Sequence, residues 1–560
     1  MIVTFFGYLV YLFSVQIVDN YVYEARAEQV RKRSVVIPAQ RGEIFDRHYD
    51  QPVVTNRSSF AVSFTPANVS RNAFGDIFER LAAVLDVSVQ TIREQVPPGK
   101  YGSHQPIEIQ SGVSFEKITY IAEHTDAFPG VSWHSKPVRQ YTQTQDMAHV
   151  LGYVGEITPE ELQVLFNKGY DKNSVIGKSG VEQQYDSTLR GEDGLRVTTV
   201  DAQGRRVNDG SVKVVPPEPG KNLVLTLDRH MQSLVAKALG DRIGAAVVLK
   251  PHTGEILSMV SYPSYNPNRF YGANGAQAFR EVSRAEHSPF LNRAIQSGYP
   301  PASTFKVLMT TAVIEEEAFG LNETIDTKGY YRLGNRVFRD WRENGFGPLN
   351  IFGALANSSN EFFYTMGHDY LGVDRIVEYS QLFGFGQKTG IDLPGEVRGL
   401  VPNPEWKQRK HGIPWVGGDT VNMSIGQGYL GVTPLQLANM VAMVVNEGVI
   451  YRPHVLEEVR DPVTGEVLRR TEREVLHNAP ISTSTFNNVK RAMRGVITDG
   501  TAEVVITTEA VKAAGKTGTG QAGREEQWHS WFVAYAPFDA PPEEQIVLAV
   551  LVRSEEHTSE

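Results

Sequence analysis

Ser303-Thr-Phe-Lys306, Ser358-Ser-Asn360 and Lys516-Thr-Gly-Thr519 are the three short stretches whose residue types could do chemistry together. A serine hydroxyl is a poor nucleophile at neutral pH until a base takes its proton. A lysine amine becomes such a base when a dry, cation-rich setting keeps it neutral. Ser303 and Lys306 stand three residues apart, which puts both side chains on one face of a helix. The preceding Gly298-Tyr-Pro-Pro-Ala302 ends its prolines where a helix can begin and a missing N–H costs nothing. A helix start also favours developing negative charge. Ser358 and Asn360 supply a hydroxyl that can relay a proton and an amide that can hold a peptide group. Lys516 adds positive potential, Thr517 and Thr519 offer hydroxyls to a carboxylate, and Gly518 leaves room for a substrate backbone to come close. Each stretch alone has a plainer reading: a capping serine with a solvated lysine, a polar helix start, a turn with a chance Lys-Thr-Gly. Together they describe acyl transfer through a serine ester.

These residues need elements to hold them. Apolar residues dominate 304–317 and 434–446 at helical spacing, and Ser303 opens the first of these runs. Ala245-Ala-Val-Val-Leu-Lys250 and Glu255-Ile-Leu-Ser-Met-Val260 flank Pro251-His-Thr-Gly254, the pattern of a hairpin. His529-Ser-Trp-Phe-Val-Ala-Tyr535 and the apolar run 545–552 extend the same sheet, with Lys516–Thr519 on its edge strand. Strands, then helices, then strands predict an α/β (α+β) domain: an antiparallel sheet flanked by helices. Upstream of Val215-Pro-Pro-Glu-Pro-Gly220, the strongest boundary signal, short β-like runs such as Ser59-Phe-Ala-Val-Ser-Phe64 and Val197-Thr-Thr-Val200 alternate with polar helices. That part holds no constellation suggesting chemistry. The division is 1–18, 19–220, 221–552 and 553–560.

Composition narrows the classes. With 560 residues the chain exceeds one ordinary core. Apolar residues at 41% and charged residues at 21% describe a folded protein. A net charge of −9 provides no basic face, so nucleic acid is not an expected partner. The absence of cysteine removes disulfides, thiolate nucleophiles and Cys-ligated zinc. Residues 1–18 (MIVTFFGYLVYLFSVQIV) carry no charge. As a helix they would reach about 27 Å, close to a bilayer's hydrocarbon core. No small-residue cleavage site follows, so this segment reads as an uncleaved single membrane anchor whose natural start lies upstream. Residues 553–560 (RSEEHTSE) lack apolar periodicity and read as a non-native, disordered tail.

The ordered Ser-x-x-Lys, Ser-x-Asn and Lys-Thr-Gly set is that of penicillin-recognising serine acyltransferases. The chain resembles the class B penicillin-binding proteins from Arg41 to about Val552. Arg41-Gly-Glu-Ile-Phe-Asp-Arg47 resembles the pedestal signature of that class, and Ala148-His-Val-Leu-Gly-Tyr-Val-Gly155 and Gly177-Lys-Ser-Gly-Val-Glu-Gln-Gln-Tyr185 its later blocks. Ser424-Ile-Gly-Gln-Gly428 and Val432-Thr-Pro-Leu-Gln436 resemble its transpeptidase domain. Asp340-Trp341, Glu405-Trp-Lys-Gln408, Pro414-Trp415 and Gly418-Asp419 point to the elongation branch over the septal one.

The resemblance implies a penicillin-binding transpeptidase domain preceded by a membrane anchor and an elongated mixed α/β pedestal. It implies a peptidoglycan D,D-transpeptidase that cross-links stem pentapeptides and is acylated by β-lactams. Ser303 would be the nucleophile, with Lys306 its base. Ser358, with Lys516, would pass the proton to the leaving amine beside Asn360. Thr517, Gly518 and Thr519 would bind the donor's terminal carboxylate region, and the N–H groups of Ser303 and Thr519 would form the oxyanion hole. Expected partners are a RodA-type membrane glycosyltransferase and other elongation-complex proteins, with the catalytic domain periplasmic on a single-pass inner-membrane anchor. No cofactor is expected. Some elongation-type relatives hold zinc near the cleft through two Asp, a His and a Cys. Asp326 and Asp340 match, but Phe346 and Ser359 stand in the His and Cys places, so no metal is expected. A C-terminal helix that normally backs the sheet is missing, and the fragment is expected to be less stable than a chain with that helix. The competing readings are a septal class B transpeptidase, a β-lactam sensor or scaffold without turnover, and a class A β-lactamase. The last lacks its Glu-x-x-Leu-Asn block between Ser358 and Lys516.

Overall fold

Five apolar runs build the sheet on which the site is mounted. The computed structural model describes residues 2–14, 32–142, 144–172, 174–199, 213–271, 275–508, 510–522 and 527–554. Strands β1 (Gly244–Leu249) and β2 (Ile256–Tyr262) form the expected hairpin. β3 (Ala514–Ala522), β4 (Gln527–Ala536) and β5 (Ile546–Ser554) complete an antiparallel sheet in the order β2-β1-β5-β4-β3. β1 is buried along its whole length, and the helices Arg229–Leu239 and Pro434–Val445 both pack against it. The helix Pro434–Val445 lies entirely within the core and packs on this sheet. The helix Lys306–Glu315 packs beside Thr483–Thr498, which itself lies against β3. β3 is the outermost strand of this sheet, the position expected for Lys516–Thr519.

Two residues of the expected tail lie in the sheet. Arg553 and Ser554 continue β5, opposite His529 and Trp528, and the Arg553 N–H donates to Ile243 O at 2.7 Å. Strand pairing is made by backbone groups, so it runs as far as the partner strand does, whatever the side chains. The rest of the expected tail lies outside the described residues.

A second sheet is shared by residues from both sides of Gly220. Its six strands run Val467–Arg470, Leu456–Arg460, Asn222–Leu225, Ile44–Phe45, Pro52–Arg57 and Val138–Tyr141. Asn222–Leu225 pairs in parallel with Ile44–Phe45 and antiparallel with Leu456–Arg460. One continuous core therefore runs from Ile44 and Val54 through the site-bearing sheet. A separate small core sits in the N-terminal part, where Phe64, Phe74 and Phe78 pack edge-on under the three strands Phe60–Phe64, Ile107–Val113 and Val131–Ser135.

Charged residues tie the N-terminal blocks together. Glu182, fully buried, accepts from Arg41 Nε and Arg139 Nε, both at 2.7 Å, and Arg41 also pairs with Asp186 at 2.8 Å. Gly42 is required beside this joint, because a Cβ there would lie 1.9 Å from Lys221 O. The N-terminal helix Ile2–Phe13 has twelve residues, with Phe5, Phe6, Tyr8, Tyr11 and Phe13 exposed. The remainder of the expected anchor lies outside the described residues. Among those described, no helix is long and apolar enough to cross a membrane.

Candidate active site

Ser303 lies in a 3₁₀ turn, Ala302–Phe305, that runs straight into the helix Lys306–Glu315. The expected α-helix is thus tightened at its first turn, and the cause is visible one residue earlier. Ala302 has φ +51°, a left-handed conformation that a residue with a side chain keeps only when its surroundings impose it. The Ala302 N–H donates to Gly426 O at 2.9 Å, and Trp531 Nε1 donates to Pro300 O at 2.9 Å. Gly426 in turn has φ +74°, and a Cβ there would stand 2.2 Å from Ala302 O. The Ser424–Gly428 stretch therefore serves as the mould for the Ser303 turn. Thr304, Phe305 and Lys306 are buried while Ser303 is part-exposed, so the hydroxyl sits at the mouth of a dry interior.

Lys306 is fully buried and forms no ion pair among the described residues. Its Nζ donates to Ser358 O at 2.8 Å and to Asn360 Oδ1 at 2.7 Å, and lies 3.4 Å from Ser358 Oγ. Burial without a carboxylate partner pulls its pKa down to about 7, opposed only by the more distant charge of Asp340. Two carbonyl acceptors match the two N–H groups of a neutral amine and leave a lone pair for a hydroxyl proton. The first two motifs are therefore joined by Lys306, whose hydrogen bonds go to the second motif and not to Ser303. Ser358 occupies the turn between the helices Ile351–Ala356 and Asn360–Thr365, at φ +54°.

Lys516 is also fully buried, and its Nζ donates to Thr517 O at 2.9 Å. Burial, and next the charge of Lys306, hold its pKa well below the usual lysine range. On β3, Gly518 does something other than expected, and Gly520 does the same. A Cβ on Gly518 would lie 3.0 Å from Thr304 Cγ2, and one on Gly520 would lie 2.8 Å from Ala302 Cβ. The space they vacate is filled by the chain itself, so the edge strand closes against the Ser303 turn. Thr519 is exposed and Thr517 half-buried. Thr517 Oγ1 hydrogen-bonds Thr501 Oγ1 at 2.7 Å, and the Thr501 N–H donates to Ala356 O at 3.1 Å. Thr501 thus links the third motif to the helix Ile351–Ala356, which ends just before the second. No spacing or pattern in the sequence singles Thr501 out.

Three motifs far apart in the chain thus meet where an edge strand closes on a helix start. The family model for the penicillin binding protein transpeptidase domain matches residues 244–560, and that for the penicillin-binding protein dimerisation domain matches 36–225. The chain is a penicillin-binding protein. It is 30% identical to the peptidoglycan D,D-transpeptidase MrdA of Escherichia coli strain K12, over 97% of this chain and 88% of that one. Its fold is similar to the penicillin-binding protein PBP2 of Helicobacter pylori in complex with MreC, with a TM-score of 0.80, 26% identity and coverage of 93% and 95% of the two chains. It is also similar to Pseudomonas aeruginosa PBP2 in complex with WCK 5153, with a TM-score of 0.69, 29% identity and coverage of 94% and 93%. These relatives place this penicillin-binding protein in class B, on the elongation branch.

Its residues do not fit the zinc that some elongation-type members carry. Asp340 is buried, and both oxygens are already used. Oδ2 accepts from Ser359 Oγ at 2.8 Å and from the Glu361 N–H at 2.9 Å, while Oδ1 accepts from the Trp341 N–H at 2.7 Å. Asp326 is exposed on the strand Ile325–Thr327. Phe346 stacks edge-on against Trp341. Among the described residues no three His, Cys, Asp or Glu converge. One hydrogen-bonded carboxylate beside an aromatic ring is not a zinc donor set.

Proposed function

We propose that the chain is an elongation-type peptidoglycan D,D-transpeptidase working through an acyl-enzyme on Ser303. The observation that carries this reading is Lys306: a fully buried amine without an ion-pair partner, one helical turn from a part-exposed serine. Lys306 takes the Ser303 proton as Oγ attacks the carbonyl carbon between the two terminal D-alanines of a donor stem peptide. The oxyanion is held by the N–H groups of Ser303, in the unpaired first turn of its helix, and Thr519. Collapse breaks the C–N bond, and the leaving D-alanine amine receives its proton through Ser358 and Lys516. Asn360 fixes Lys306, and Thr517 and Thr519 hold the donor's carboxylate at the glycine-bearing edge. The amine of a second stem peptide then attacks the ester, forming the cross-link and freeing Ser303. A β-lactam acylates Ser303 by the same first step and leaves slowly.

By likeness to the PBP2–MreC complex and to a peptidoglycan synthase complex that joins polymerisation and crosslinking, the partners are elongation-complex proteins. A RodA-type glycosyltransferase is among them, served by the N-terminal domain. The apolar N-terminal segment, with its exposed aromatic side chains, is proposed as the single membrane anchor holding the catalytic domain in the periplasm. The test is covalent labelling by a fluorescent penicillin, alongside turnover of a stem-peptide thioester with a D-amino-acid acceptor. Ser303→Ala should abolish both with an unchanged thermal midpoint; labelling that persists would remove the nucleophile assignment. Labelling of the unaltered chain without any turnover would favour the sensor reading.

A further inference from the structure

Ser358 sits in a left-handed conformation that is unfavourable for a residue with a side chain, so something must hold the Ser358–Asn360 turn in place. That turn supplies both groups that grip Lys306, the Ser358 carbonyl and the Asn360 side chain. Its own restraints converge on one short segment. Asp340 Oδ2 accepts from Ser359 Oγ at 2.8 Å and the Glu361 N–H at 2.9 Å, so one oxygen brackets Asn360 from both sides. Next door, Trp341 Nε1 donates to Asn357 O at 3.2 Å. Glu361 closes the loop in the other direction. Its Oε2 accepts the N–H groups of Lys328, Gly329 and Tyr330 at 2.7, 2.6 and 3.1 Å, and Gly329 O accepts the Asp340 N–H at 2.8 Å. Two buried carboxylates thus lace the catalytic turn to the chain on either side of the hairpin Tyr330–Leu333 and Arg336–Arg339.

We propose that Asp340 is a positioning residue for acylation, its carboxylate clamping the Ser358–Asn360 turn through Ser359 and Glu361 so that Lys306 is presented to Ser303. Ser359 is part of the clamp as the donor that Asp340 needs. The proposal rests on the assignment of Ser303 and Lys306 made above. A charge-assisted bond from a hydroxyl to a buried carboxylate is strong and short, which suits a part whose displacement by an ångström would uncouple base from nucleophile.

The test is stopped-flow acylation of the full chain by a chromogenic cephalosporin, separating the encounter constant from the acylation rate constant. Asp340→Ala and Ser359→Ala should each lower the rate constant by about 10- to 100-fold per folded molecule, with the encounter constant changed less than about threefold. Asp340→Asn keeps a carbonyl acceptor for the turn but turns an NH₂ toward the Trp341 N–H, so it should recover an intermediate rate. The double variant Asp340→Ala/Ser359→Ala should be no slower than Asp340→Ala alone, because the two groups act through one bond. Should Asp340→Ala not fold, Ser359→Ala carries the test by itself, being a single-atom deletion. A wild-type rate constant in Ser359→Ala, or an Asp340→Asn rate no better than that of Asp340→Ala, overturns the clamp. Persisting acylation in Ser303→Ala would instead overturn the underlying site assignment, so the two failures are distinct.

Discussion

At the scale of the residue, the proposed chemistry depends on Lys306, a lysine whose pKa burial lowers. With its pKa near 7 instead of the usual 10.5, Lys306 is protonated below that pH and cannot accept the Ser303 proton. Acylation should therefore rise about tenfold per pH unit up to roughly pH 7 and level off above it. Lys306→Arg, which stays charged throughout, should leave almost no acylation at any pH. A flat profile across the range in the unaltered chain would remove Lys306 as the base. The same shift has a stability consequence of fixed sign. Between about 7 and 10.5 the unfolded chain holds a proton that the folded chain has released, so this group makes stability rise with pH across that window. Lys516, pulled down by burial and by Lys306, pushes in the same direction. Denaturant titrations at several pH values read this slope directly.

Among elements, the decisive contact is that of β3 with the Ser303 turn. Gly518→Ala would bring a methyl to 3.0 Å from Thr304 Cγ2 and 3.2 Å from Trp531 Cβ, and the edge strand must yield. Stability should fall by about 1–3 kcal/mol, while acylation drops much further because Thr519 is carried away from Ser303. Melting and labelling on one preparation separate the two effects, and a loss confined to the melting midpoint would show that the strand's approach does not matter for catalysis. The N-terminal ionic joint gives the opposite pattern. Glu182→Ala would leave the buried Arg139 guanidinium without its carboxylate and Arg41 with Asp186 alone, a loss of about 3–5 kcal/mol. The midpoint should fall steeply, with the acylation rate constant of the remaining folded protein unchanged.

In the whole molecule, a large core and two smaller ones are separate among the described residues, and only the large one reaches the site. The core around Phe64, Phe74 and Phe78 is separate from the one that carries the motifs. Phe78→Ala should weaken that small core by about 3–5 kcal/mol and speed hydrogen exchange across residues 60–131. Exchange within β3, β4 and β5, and the labelling rate, should not move. Coupled loss in both places would mean that the cores unfold as one unit. The shared six-stranded sheet works differently: it fuses Ile44–Phe45 to Asn222–Leu225 and Leu456–Arg460, so damage there should be felt throughout the larger core.

By itself the sequence determined which residue types were present and in what order. Ser303, Lys306, Ser358, Asn360 and Lys516–Thr519 could be chosen because acyl transfer needs a nucleophile, a base, a relay and a carboxylate site, and each motif is local. The strands and the long helices were legible for the same reason, since apolar periodicity is written in neighbouring residues. What stayed hidden depends on residues distant in the chain. Thr501 carries no local signal, and Asp340 and Gly426 were marked only by resemblance, not for the contacts they make; they matter because folding brings them against Thr517, the Ser358–Asn360 turn and Ala302. Gly518 was read as space for substrate, but the space is taken by Thr304, a contact between residues of two different motifs. Only the tertiary structure could make Lys306 neutral, because a lysine's pKa is set by the water and charges that surround it and not by its place in the chain.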